Sequence, residues 1–420
     1  MKTKILSNLN LPSPSDRRIA IRVSSRAARA IQRGHPWLYE SAIRKQSHEG
    51  SSGDIAIIFD SNRRFLAAGL FDPQTSIRVR ILQHTVQASI DQDWFNERIR
   101  AAVKLRVPLL SMPPERATTG YRLVHGENDG LPGLIVDRYE EILVLKLYTC
   151  AWIPHLKNIF VALEKSTPGK YLILRLGRAM MNHPQSLYGL QDGMVFCEDA
   201  LSTPIIFQEN GLFFEVDPIL GQKTGFFLDQ RDNRFRVENL AKGKSVLNAF
   251  SYTGGFSVYA ARGGAKHIIS LDQSGPALEA AIRNFAHNQD NPAIAKAKHE
   301  TMIDDAFVAL MRMKNQGRLF DMVIADPPMF AHKQAQIAKA MHAYRRLTHL
   351  SLGVLRSGGI LVQASCSSQI RANEFFKGVH QAATQNGRNL SEIERSEHGI
   401  DHPITFNEGA YLKCMFAVVR

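Results

Sequence analysis

The decapeptide LVQASCSSQI, residues 361–370, sets Cys366 among Ser365, Ser367 and Ser368 directly after an apolar run. Two chemistries fit a cysteine in that position. It can be a small, half-buried filler, since an unpaired cysteine packs as a small hydrophobe. It can also be a thiolate nucleophile, which requires a basic surround or a helix N-terminus to bring its pKa down from about 8.5. The pattern after the serines predicts a helix over 371–380, which would supply the second.

Three carboxylates and a glycine turn occupy equivalent positions at the ends of other apolar runs. In FDMVIADPPMF, Asp326 closes the run and Pro327-Pro328 stiffen the loop after it, so backbone carbonyls and the Phe330 ring can face a planar base. Proline would remove a ladder hydrogen bond from mid-strand, which places the pair in a loop. Asp-Pro-Pro-x-aromatic after an apolar strand is moderately specific for methyl transfer to bases. In VLNAFSYTGGFSVYAA, residues 248–255 form a turn in which Gly254 and Gly255 let a ligand approach the backbone and a helix start offers free N–H groups. Asp272 comes about twenty residues later, the spacing at which a carboxylate accepts both ribose hydroxyls of an adenosine-type cofactor. A helix cap is the competing explanation there, a role Ser274 serves equally well. Asp305, in MIDDAF, can accept from an adenine amine, though capping the next helix explains it nearly as well. The turn is not G-x-G-x-x-G, which disfavours a nicotinamide dehydrogenase.

Those residues need a sheet to bring them together. From about residue 200, KSVLNAF, HIISLD, FDMVIAD and GGILVQAS alternate with helix-compatible stretches, with a weakly marked strand before Asp304. Such alternation predicts a parallel, doubly wound α/β sheet with ligands at the carboxyl ends of its strands. Upstream the texture differs. Residues 1–18 read as a disordered leader and 19–90 as a small β-rich module, with a helix over 24–33 and strands in DIAIIFD, FLAAGLFD and SIRVRIL. Residues 91–200 read as a central α+β unit, with a helix over 91–106, a break at VPLLSMPPE and a hairpin of 133–138 against 141–148. The remainder, 201–420, is the doubly wound domain.

The 420-residue chain carries 52 Lys and Arg against 39 acidic residues, a net charge of +13 that favours a polyanionic partner such as nucleic acid. Arginine is dense in the first eighty or so residues, as in RRIAIRVSSRAARAIQRGHPW. Cys150, Cys197, Cys366 and Cys414 are widely scattered, with no CxxC or Cys/His cluster, so neither a metal site nor a disulfide framework is expected. No apolar run is long enough for a membrane span, and the N-terminus lacks a signal-peptide pattern, so the cytoplasm is the expected compartment.

In order, KTGFFLDQRDNR, VLNAFSYTGGFSVYAA, DPPMF and ASCS resemble the bacterial 23S rRNA 5-methylcytosine methyltransferase family of the large-subunit methyltransferase I type. GHPWLYESAI resembles that family's N-terminal PUA module, YRLVHGENDGLPGLIVDRY its central domain and DHPITFNEGAYLKC its tail, so nearly the whole chain is covered. The resemblance implies a Rossmann-like domain binding S-adenosyl-L-methionine. Asn248, Ser251, Tyr252, Thr253 and Gly254 would cradle the cofactor, Asp272 its ribose and Asp305 its adenine, with Phe227, Asp229 and Arg231 flanking the methionine end. Cys366 would be the nucleophile that adds to C6 of cytosine, Asp326 would assist at N3, and Pro327, Pro328 and Phe330 would contact the base. Ribosomal RNA would be held by the PUA-like and central domains; the oligomeric state stays open, a homodimer included. Two departures stand out. The Asp-Pro-Pro loop holds no second cysteine to help eliminate the product, and Met329 occupies a position where members of the family often carry Lys. The nearest rival is guanine N-methylation, which needs no thiol. A rival of another class is a non-catalytic RNA-binding protein, against which the intact motifs argue.

Overall fold

The computed structural model describes residues 6, 9–197, 199–331 and 333–420, which fall into two compact units. The first runs to Phe207 and takes in Val216–Leu228 and Ile400–Phe406. Its first layer is a six-stranded sheet of β1 (Ile19–Val23), β2 (Trp37–Tyr39), β3 (Ile43–Gln46), β4 (Ile55–Phe59), β5 (Phe65–Phe71) and β6 (Ile77–His84), in the order β2-β6-β5-β4-β1-β3. Only β1 and β4 pair in parallel among these strands. The helix Ser25–Gln32 is capped by Ser24, whose side chain accepts from the Ala27 amide, and buries Ala28 and Ile31.

A second sheet comprises β7 (Gly120–His125), β8 (Leu134–Tyr139), β9 (Ile142–Leu147), β10 (Tyr171–Leu176) and β11 (Met194–Phe196), ordered β11-β10-β9-β8-β7. Helices Gln92–Leu110 and Leu156–Ser166 pack together over its core, which also takes in Ile55, Leu70 and Leu82 of the first sheet. The helix expected to stop at 106 continues through Pro108 to Leu110. Ile99, Ala102, Arg106 and Leu109 all lie on its buried face, and that burial outweighs the cost of a proline confined to the last turn. Buried ion pairs fix this layer. Arg106 forks onto Asp129 at 2.8 and 2.7 Å, and Arg122 onto Asp137 at 2.7 and 2.9 Å. Asp401 accepts from the Arg122 amide and its carbonyl accepts from Arg106, which ties 400–406 into this unit. Of the expected leader, residues 1–5, 7 and 8 lie outside the described residues. Its described part is seated rather than loose: Leu6 is buried, and Leu9 and Leu11 pack against the same core.

The hairpin of β12 (Ile205–Glu209) and β13 (Leu212–Val216) turns at Asn210-Gly211, both with positive φ, as two-residue hairpins prefer. Among the described residues, the main sheet of the second unit comprises β14 (Ser245–Ala249), β15 (His267–Asp272), β16 (Lys298–Ile303), β17 (Phe320–Ala325), β18 (Leu355–Ser365), β19 (Leu390–Ser396) and β20 (Lys413–Val419). Their order is β16-β15-β14-β17-β18-β20-β19. The first five run parallel, as the apolar runs predict, and β20 enters antiparallel between β18 and β19. The weakly marked strand is β16, an edge strand with no fully buried residue, which explains its faint pattern. Helices fall into two packed groups, Arg231–Leu240 with Gly255–Arg262 and Gly275–Ala286, and Ala306–Asn315 with Ile337–Gly353 and Ala372–Gln385. That is double winding, and the strand order reverses between β14 and β17, where ligands of such sheets bind.

Candidate active site

The turn after β14 is held in an unusual backbone conformation. Phe250 and Tyr252 have positive φ, of 61° and 47°, and Gly254 has a φ of 76° as the cap of Gly255–Arg262. A Cβ at Gly254 would lie 2.7 Å from that of Ala281, so only glycine fits both the space and the angle. The strained turn is pinned from several sides. The Ser251 amide donates to Leu271, the Tyr252 amide to the Asp272 carboxylate at 2.8 Å, and the Asn284 amide group to the Thr253 carbonyl at 2.8 Å.

Beneath the turn, the Asn248 side-chain N–H donates to Ser257, Ser257 meets the Ser270 hydroxyl at 2.7 Å, and Ser270 meets the His299 ring at 2.8 Å. His299 stacks on Phe285, and burial pushes its pKa down to about 4. This chain of bonds orients Asn248 and leaves its Oδ1 buried with no hydrogen-bond partner among the described residues; Ser251 Oγ is in the same condition. Unpaired buried acceptors of this kind are costly and call for a ligand or water.

At the neighbouring strand ends, both oxygens of Asp272 accept backbone N–H groups, from Tyr252 and Ser274, and Ser274 caps the next helix as its position allows. Asp305 caps Ala306–Asn315 through Val308 and accepts from Gln273 at 2.6 Å. A carboxylate has about four acceptor sites, so both retain capacity for more donors.

Asp326 lies just past β17 and accepts from Gln230 at 2.9 Å; Gln230 is in turn held by Asn233 at 2.6 Å. Pro327 is buried, Pro328 exposed, and the half-buried Phe330 ring lies 4.8 Å from Tyr344. Cys366 lies just past β18, half-buried, with its Sγ 4.0 Å from the Pro327 carbonyl oxygen. The serines around it are structural bolts: Ser365 donates to the Tyr344 hydroxyl at 2.9 Å and Ser367 to the Ala331 carbonyl at 3.1 Å. Burial raises the Tyr344 pKa well above its ordinary value, with Cys366 and Asp326 adding to the rise. Opposite Ser365 in the β18–β20 register stands Lys413, 1 % exposed, donating to the carbonyls of Ser367 at 2.5 Å and Ile370 at 2.7 Å. Cys414 beside it is fully buried, and burial drives its thiol pKa up.

Asp229 accepts from the Tyr411 hydroxyl at 2.8 Å, and the buried Arg231 pairs with Asp232. Phe227 belongs to the first unit, where Lys223 lies over its ring, while the other expected site residues belong to the second. Gln230, Tyr344 and Lys413 were not singled out by the sequence reading. Gln230 sits inside KTGFFLDQRDNR and Lys413 inside DHPITFNEGAYLKC, but Tyr344 and Lys413 reach the site through tertiary pairing. Among the described residues no group of three or more His, Cys, Asp or Glu is placed to hold a metal ion, and no helix is long and apolar enough to cross a membrane.

Sheet order, turn and strand-end acids define the class, and the model of the S-adenosylmethionine-dependent methyltransferases matches residues 121–416, with a PUA-like domain over 21–84. Within that class the chain belongs to the ribosomal RNA large subunit methyltransferase family. It is 44% identical to the ribosomal RNA large subunit methyltransferase of Deinococcus radiodurans, covering 97% of this chain and 99% of that one. To the ribosomal RNA large subunit methyltransferase I of Pseudoalteromonas translucida it is 37% identical, over 93% and 97%. Among solved structures, a chain from Streptococcus mutans provisionally assigned as a SAM-dependent methyltransferase shares the fold, with TM-score 0.78 at 20% identity over 95% and 99%.

Proposed function

We propose that this chain methylates C5 of a cytosine in large-subunit ribosomal RNA, with Cys366 as covalent nucleophile. The observation that carries the reading is the half-buried thiol at the end of β18, lying against the loop that bears Asp326. S-adenosylmethionine, the cofactor of the family, supplies an activated methyl group when bound. The residues present fit it: the unpaired acceptors of Asn248 and Ser251 suit a ligand that brings its own donors. Tyr252, Thr253 and Gly254 would complete the cradle, with Asp229 and Arg231 at its methionine end. Asp272 would take the ribose hydroxyls and Asp305 the adenine amine.

C5 of cytosine is a poor nucleophile. The Cys366 thiolate gives an electron pair to C6, and the displaced C5–C6 pair makes C5 an enamine carbon that forms the new bond to the methyl group, the pair that had bound the methyl staying on the donor's sulfur. The C5 proton then passes to a base, and the C6–S pair returns to sulfur. Asp326, oriented by Gln230, would in its protonated form donate a hydrogen bond to N3 and draw electron density from the ring during addition, while Pro327, Pro328 and Phe330 would hold the base out of its stack. The 19–90 module and the 91–200 unit would hold the RNA and 201–420 would carry the chemistry. Exposed Arg26, Arg29, Arg33, Arg44 and Arg63 on the first module, the net charge of +13 and the names of the relatives support that partner.

The test is trapping. Ribosomal RNA substituted with 5-fluorocytosine should form a denaturation-resistant adduct on the Cys366 peptide, because fluorine cannot leave as the proton does. Methylation of a guanine nitrogen with no adduct, read by mass spectrometry of the RNA, would transfer the assignment to the N-methylation rival.

A further inference from the structure

The Lys413 ammonium has a place in the molecule that packing alone does not explain. Its side chain is 1 % exposed, yet among the described residues its hydrogen-bond partners are two backbone carbonyls, those of Ser367 and Ile370, and no carboxylate. A buried cation without an anion is among the more costly arrangements in a protein interior. Both carbonyls belong to the loop that begins with Cys366, and Lys413 stands opposite Ser365, the residue before it, in the strand register. The geometry points to Lys413 as the positioning residue of the thiol: it clamps the 366–370 loop and supplies the positive charge that favours the Cys366 thiolate. This rests on the reading of Cys366 as nucleophile and adds how that nucleophile is made reactive.

The surrounding charges explain the need. Asp326 from the end of β17 and Tyr344 from helix Ile337–Gly353 flank Cys366. When ionised, Asp326 opposes ionisation of the thiol. Cys414, from β20 itself, is driven up by burial and faces Arg236 and Glu394 as well as Asp326. Among these groups Lys413 is the one whose interaction with Cys366 favours a thiolate. Burial brings the Lys413 pKa down to about 8, while Cys366 pushes it the other way, so the side chain is still mostly charged at neutral pH and responds to the charge on sulfur. The helix over 372–385 starts six residues beyond the thiol with Arg371 as cap, which leaves the activating role expected of its N-terminus to the lysine.

The pH dependence of iodoacetamide alkylation of Cys366, followed by peptide mass spectrometry so that the other three cysteines do not interfere, tests this. Wild type should titrate below the value of about 8.5 for a free cysteine. Lys413→Gln keeps a donor for the loop carbonyls without the charge, and Lys413→Met removes both. In each, the midpoint should rise by about one pH unit and the rate at pH 7 should fall about tenfold, with the high-pH plateau within twofold of wild type. A clamp without an electrostatic role would change the plateau and leave the midpoint in place, most clearly in Lys413→Gln, and that outcome overturns the inference. So does a wild-type midpoint at or above 8.5, which needs no variant to fold. Neither result bears on whether Cys366 attacks RNA, since alkylation reads the thiol alone; an active Cys366→Ala protein would remove the nucleophile reading and leave the titration standing.

Discussion

The turn after β14 and the loop after β18 close two strands of one sheet, and they are built in opposite ways. In the turn, backbone strain at Phe250 and Tyr252 and a network of pins leave two buried polar atoms, Asn248 Oδ1 and Ser251 Oγ, unpaired among the described residues. In the loop the polar groups are bonded within the protein: Ser365 to Tyr344, Ser367 to Ala331, Lys413 to two carbonyls, Asp326 to Gln230. An unsatisfied constellation gains by taking a ligand, whereas a satisfied one holds a reacting atom still. The first is suited to binding and the second to chemistry.

The largest effect should come from separating the two. Cys366→Ala should lose methyl transfer by several orders of magnitude in a single-turnover assay, yet bind S-adenosylmethionine within twofold of wild type by calorimetry. Asp272→Ala should do the converse. Its cofactor affinity should fall roughly tenfold or more, about 1.4 kcal/mol, while Cys366 alkylation stays unchanged. Loss of cofactor binding in the cysteine variant would merge the two regions into one, and undiminished affinity in the aspartate variant would remove Asp272 from the cofactor side.

Acid and base should also find the two regions separately. Burial lowers the pKa of His299, under the turn, to about 4 from an ordinary 6.5, so the unfolded chain binds the proton first as the pH falls. The stability this residue supports is complete above 6.5 and is lost on acidification toward 4, with a slope of at most about 1.4 kcal/mol per unit. Lys413, behind the loop, is lowered from 10.5 to about 8, so its contribution is complete only above 10.5 and is lost as the pH falls toward 8. Denaturant titrations across both windows should show two separate slopes. His299→Gln should flatten the acid one alone and Lys413→Met the alkaline one alone; a variant that alters both would show the two regions to be coupled.

The same contrast explains what the sequence could reveal. The four apolar runs that became β14, β15, β17 and β18 are largely buried and read without ambiguity, and the glycine turn showed because only Gly254 fits beside Ala281. The edge strand β16 was faint because edges need no continuous apolar run. Pro108 read as a stop because the burial of Leu109, a tertiary effect, is invisible locally. At the site, motif residues near strand ends were legible, but Lys413 lies nearly fifty positions beyond Cys366 and meets its loop through an antiparallel strand inserted late in the chain. No local spacing announces such a pairing. Tyr344 was hidden in the same way, on a helix whose pattern speaks only of its own amphipathicity.

The smallest effect is the sharpest test of the contrast, because it turns on sign. Ser251 and Ser365 are both buried serines at strand ends, with exposures of 6% and 0%. Ser251 Oγ has no partner among the described residues, so Ser251→Ala removes an uncompensated desolvation and should leave the unliganded protein as stable as before or more so, by up to about 1 kcal/mol. Ser365 Oγ donates to the Tyr344 hydroxyl, so Ser365→Ala removes a donor from a buried phenol and should cost about 1–3 kcal/mol. With saturating S-adenosylmethionine the gap between the two variants should narrow. If Ser251 holds the cofactor as proposed, its variant should gain less from the cofactor's presence, while the Ser365 variant should gain as much as wild type. Chemical denaturation of both variants, with and without cofactor, measures all four values. Equal destabilisation by the two substitutions, insensitive to cofactor, would mean that the turn is as internally satisfied as the loop and that the division between binding and chemistry lies elsewhere.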